Sequence, residues 1–137
     1  MKMSPGRASL SPDEVRLHLE QAEEKLVIAR EMLDNGHLGE AAGRAYYAMF
    51  HAAQALLKSK NLQTKTHRGT FGLLGEHFVG QSALTKQDAR NLKLAMELRE
   101  EGDYGIDFQA TEAEVKLGLD RARTFIEHAK ETLGAQT

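Results

Sequence analysis

The run Gly43-Arg44-Ala45-Tyr46-Tyr47-Ala48-Met49-Phe50-His51-Ala52-Ala53-Gln54-Ala55-Leu56-Leu57 decides how the rest of the chain reads. It combines helix-favouring alanines with three aromatic rings, one Arg and one His, and it contains no acid. Tyr46, Met49, Ala53 and Leu56 recur at helical spacing and predict a core-facing stripe. Arg44 and His51 are seven residues apart, just under two turns, so their side chains leave one face of the helix roughly 10 Å apart along its axis. A permanently charged guanidinium and an imidazole that titrates near neutrality can together hold a phosphate and move a proton. The same spacing also suits a histidine packed and hydrogen-bonded between helices, and both readings stand at this point.

Outward from that run, the pattern is helical throughout. Ser11-Pro12-Asp13-Glu14 has the form of a helix start, with Ser11 as the cap and Glu14 closing a capping box. Val15, Leu19, Ala22, Leu26, Ala29 and Leu33 then give an apolar seam that Asn35-Gly36 ends. The second helix is expected over about Leu38–Lys60, with Asn61 as its stop, and a third over about His67–Val79, weakened by Gly69, Gly72 and Gly75. Thr85 with Asp88 caps a fourth helix, whose pattern breaks at an expected exposed loop, Glu101-Gly102-Asp103-Tyr104-Gly105. Thr111 and Glu114 form another capping box, and Val115, Leu119, Ala122, Ile126, Ala129 and Leu133 repeat the first seam up to Gly134. No segment alternates at strand period. The expected fold is all-α, an up-and-down bundle of about five helices over residues 11–134, preceded by a flexible tail at 1–10.

Composition narrows the chemistry. The chain has 137 residues and a net charge of −2, so it carries no overall nucleic-acid footprint. Residues 41–75, however, hold no Asp or Glu and five Lys or Arg, a local positive field suited to phosphate or to a solvated basic face. There is no cysteine, hence no disulfide framework, thiol nucleophile or thiolate metal site. The six histidines form no His-x-x-x-His or Glu-x-x-His pair, so neither a bound metal nor another cofactor is expected. No apolar run reaches the length of a membrane span, which predicts a cytoplasmic protein without membrane contact.

Three stretches remain: Arg44-Ala-Tyr-Tyr-Ala-Met-Phe-His51, Lys65-Thr-His-Arg-Gly69 and Leu98-Arg-Glu-Glu-Gly-Asp-Tyr104. In order and spacing they resemble the HEPN-domain family of small prokaryotic helical proteins, over roughly residues 11–134. The resemblance implies a helical bundle that forms a homodimer, often paired with a minimal nucleotidyltransferase (MNT) in toxin–antitoxin systems. It also implies a metal-independent ribonuclease, or else a catalytically silent module that binds a nucleotide. The nuclease signature is an Arg, four to six residues, then a His. Arg44 and His51 satisfy it, whereas Arg99 is followed at the corresponding distance by Tyr104 in place of a His. On this resemblance Arg44 and His51 are the catalytic candidates. Tyr47, Lys65, His67, Arg68, Arg99, Asp103 and Tyr104 are the candidates for contacting an RNA or nucleotide phosphate. Tyr104 is also a candidate acceptor of a nucleotidyl group from the partner, and an Arg99–Asp103 salt bridge is the structural alternative for that pair.

Overall fold

A computed structural model describes residues 12–103 and 109–135. These residues form five helices and no strand: α1 (Pro12–Asp34), α2 (Leu38–Ser59), α3 (His67–His77), α4 (Lys86–Asp103) and α5 (Glu112–Ala135). Helix α2 is the centre and packs against each of the other four.

The residues of α2 account for that position. Ala41, Ala45, Ala48, Ala52 and Ala55 form one buried seam at 4-3-4-3 spacing, and Ala42, Tyr46, Met49, Ala53 and Leu56 form a second beside it. A seam of methyl groups lets neighbouring backbones approach closely, and the larger side chains of the second seam fill the space left. Ala22, Ala29 and Leu33 of α1, Leu92 of α4 and Val115, Leu119, Ala122, Phe125, Ile126 and Ala129 of α5 complete the core. Leu74 and Phe78 close it from α3 and the turn that follows.

The ends of the helices follow local chemistry. After α1, Gly36 adopts φ +82°, and the N–H groups of Gly36 and His37 donate to the carbonyls of Leu33 (3.0 Å) and Met32 (2.8 Å). After α2, Asn61 takes the same left-handed conformation (φ +56°), with Asn61 and Leu62 donating to Lys58 (3.0 Å) and Leu57 (2.8 Å). Both expected stops are thus the same two-bond motif. The Thr85–Asp88 and Thr111–Glu114 capping boxes are present with both reciprocal bonds, between 2.8 and 3.1 Å. Ser11 lies outside the described residues, so its expected capping box does too.

Two boundaries differ from expectation. Helix α4 continues through Glu101 and Gly102 to Asp103, where an exposed loop was expected, because a single glycine costs a helix only about 1 kcal/mol once the preceding turns are packed. Likewise α5 runs through Gly134 to Ala135 rather than stopping at the glycine. Among the described residues no helix is long and apolar enough to cross a membrane.

Candidate phosphate site on the open face of α2

With two seams of α2 buried, a third remains: Arg44, Tyr47, His51, Gln54 and Lys58, again at 3-4-3-4 spacing. Arg44 is exposed and the other four are half-buried. Three neighbouring helices bring polar groups to this seam. From α1, His18 meets His51 and Glu14 meets Lys58; from α3, Thr70 meets Gln54; from α4, Arg99 lies over Tyr47.

At the N-terminal end of the seam, the Arg99 guanidinium carbon is 5.1 Å from the Tyr47 ring centroid and 5.9 Å from that of Tyr46. Its aliphatic stem passes Gly43 so closely that a Cβ placed there would be 3.7 Å from Arg99 Cγ. Tyr46 is fully buried, and its hydroxyl is hydrogen-bonded to Nδ1 of His67 at the start of α3. Burial raises the proton affinity of that phenol well above the ordinary tyrosine value, against the pull of Arg99. The His67 ring also stacks on Phe50, with centroids 4.7 Å apart. Thr66 caps α3 by accepting from the Gly69 N–H at 2.8 Å.

Farther along the seam, Nδ1 of His51 lies 3.1 Å from Nδ1 of His18, with the rings tilted by 35°. Burial lowers the proton affinity of both. For His18 the Lys58 cation adds to that effect and the Glu14 carboxylate opposes it; for His51, His18 and Lys25 add to it. Burial thus favours the neutral form of both rings.

The structure thus joins Tyr47, Arg99 and, through Tyr46 and Phe50, His67 into one corner. Lys65 and Arg68 flank His67 in the chain and are exposed. Arg44 and His51 share their stripe as the spacing predicts, but the contacts of the His51 ring run to α1. The acid-free stretch is not acid-free in space, since Glu14 of α1 lies 3.8 Å from Lys58. Asp103 ends α4 with its side chain outside the described residues, and Tyr104 lies outside them altogether. Sequence reasoning missed His18, Phe50 and Thr70. The full 44-47-51-54-58 spacing was the signal for a polar seam, but nothing local identifies what faces it.

Comparison with known proteins agrees with this architecture. A family model described as the HEPN domain matches residues 15–132. A protein of Methanocaldococcus jannaschii named "Putative toxin MJ0605" is 35% identical over 121 residues, covering 88% of this chain and 90% of the relative. A UPF0332 protein of Archaeoglobus fulgidus is 36% identical over 118 residues, covering 86% and 94%. The crystal structure of TT1696 from Thermus thermophilus superposes with a TM-score of 0.73 at 21% identity, over 86% of this chain and 97% of that one, a likeness of fold. The chain belongs to the HEPN domain family.

Proposed function

We propose that this protein is a toxin-type HEPN component that binds RNA along the open seam of α2 and cleaves it without a metal ion. The observation that carries the reading is the seam itself: Arg44, Tyr47 and His51 on one stripe, with Arg99 laid over Tyr47. Arg44 and Arg99 hold the phosphate, with Lys65, Arg68 and His67 as further contacts and Tyr47 as a stacking surface for a base. His51, whose neutral form burial favours, accepts the proton of a ribose 2′-OH. That oxygen attacks phosphorus, the bond to the 5′ oxygen breaks, and the leaving oxygen takes a proton from solvent. The products are a 2′,3′-cyclic phosphate and a 5′-hydroxyl. A cytoplasmic homodimer, with an MNT nucleotidyltransferase as the controlling partner, belongs to the same proposal, and the name of the Methanocaldococcus relative supports its toxin character.

A second reading is favoured by one observation: a nitrogen of His51 is already engaged by His18. In that reading the same groups bind a nucleotide without turnover, in a silent dimeric module. Incubation of the purified protein with RNA in EDTA separates the two. Cleavage that is lost in His51→Ala and Arg44→Ala, with helix content unchanged, supports the ribonuclease. Intact RNA together with calorimetric binding of ATP that weakens as salt rises supports the module.

A further inference from the structure

His18 has no role in the site as the sequence presents it, yet it lies within hydrogen-bond reach of the candidate proton acceptor. Its Nδ1 lies 3.1 Å from Nδ1 of His51, across the contact between α1 and α2. Two nitrogens at that distance, each on a half-buried ring, leave room for one hydrogen between them and not two. We infer that His18 is a positioning residue: it shares a single Nδ1 hydrogen with His51 and thereby fixes the two rings in opposite tautomers.

Charged groups on both helices surround the pair. Glu14 lies one turn before His18 on α1, with its Oε2 3.8 Å from Lys58 Nζ and its Oε1 buried without a hydrogen-bond partner among the described residues. Its pull on a proton at His18 is opposed by the Lys58 cation. In the arrangement that serves a base, His18 accepts at Nδ1, His51 donates its Nδ1–H, and the Nε2 of His51 is left as a bare lone pair. Lys58 from α2 and Lys25 from α1 both oppose a second proton on the pair. The dyad therefore holds each ring in one defined tautomer instead of a mixture. Its use in turnover rests on the ribonuclease reading above; the shared hydrogen does not.

The test is nitrogen-15 NMR of the full chain labelled at histidine, at pH 7.5. The expected spectrum shows His18 and His51 in opposite tautomers with a scalar coupling between their Nδ1 atoms. Two rings of the same tautomer, or no coupling, overturn the inference. In His18→Ala, His51 becomes a tautomer mixture and its titration rises toward the ordinary value of about 6.5, while His18→Asn, which restores a polar partner, restores one tautomer. An unchanged His51 in His18→Ala overturns the inference as well. If RNA is cleaved, the acid limb of the rate profile moves to higher pH in His18→Ala, and an unmoved limb overturns the positioning role. Coupled rings in a protein that leaves RNA intact uphold the dyad and overturn only the ribonuclease reading.

Discussion

The guanidinium of Arg99 lies 5.1 Å from the Tyr47 ring centroid, so the last turns of α4 are tied to the open face of α2 by a cation over an aromatic ring. The two residues are 52 positions apart in the chain, and each is half-buried. A ligand phosphate that pairs with this guanidinium meets a group already held in place, which reduces the ordering cost of binding.

Arg99→Ala is expected to weaken RNA or nucleotide binding by about tenfold or more, the scale of one charge-assisted contact. Arg99→Lys keeps the charge but loses the planar fork and its stacking, and recovers only part of the affinity. Fluorescence anisotropy at two salt concentrations measures both. Equal affinity of Arg99→Ala and wild type would remove Arg99 from the site.

Tyr46→Phe deletes the hydroxyl that satisfies His67 while leaving the packing unchanged. It should cost about 1 kcal/mol, against about 3–5 kcal/mol for Tyr46→Ala, which opens a cavity in the second seam of α2. Urea denaturation of the two variants checks the ratio.

Acid should destabilise the contact between α1 and α2. The unfolded histidines bind protons near pH 6.5, whereas His18 and His51 in the fold do so only at lower pH, chiefly because they are buried. The unfolded state therefore holds more protons as the pH falls below about 6.5. Stability from this pair is fully present above that value and is lost down to the depressed folded values. The urea midpoint of wild type should fall more between pH 7.5 and 5.5 than that of His18→Gln, which removes one of the two titrating rings.

The three glycines of α3 should respond differently to alanine. A Cβ at Gly72 or Gly75 meets nothing within 4 Å, so substitution at either stabilises by about 0.5–1 kcal/mol through helix propensity. A Cβ at Gly69 runs into the hydroxyl of Thr64 and lies 2.9 Å from that of Thr66, the cap of the same helix. Gly69→Ala is expected to destabilise, because its N–H is the cap's donor and both threonines must move. Thermal melts of the three variants give the order.

The five helices were legible because each carries its own evidence: seams at 4-3 spacing, capping boxes at Thr85 and Thr111, and left-handed stops at Gly36 and Asn61. Such signals act within a few residues and are written in consecutive sequence. The common stripe of Arg44 and His51 was legible for the same reason. The partners of that stripe were not. His18 lies 33 positions before His51, and what joins them is the packing of α1 on α2, which no local spacing encodes. The continuation of α4 past Glu101 was hidden in the same way, since tertiary contacts outweigh the weak preference of one glycine.

Helix α2 commits its whole circumference: two buried seams hold the other helices, and the third carries the candidate chemistry. Scaffold and working surface are thus one object. A random mutagenesis screen for inactive variants will find α2 crowded with hits of two kinds, some that cripple a well-built protein and some that prevent it from being built. Only an abundance measurement beside the phenotype tells them apart.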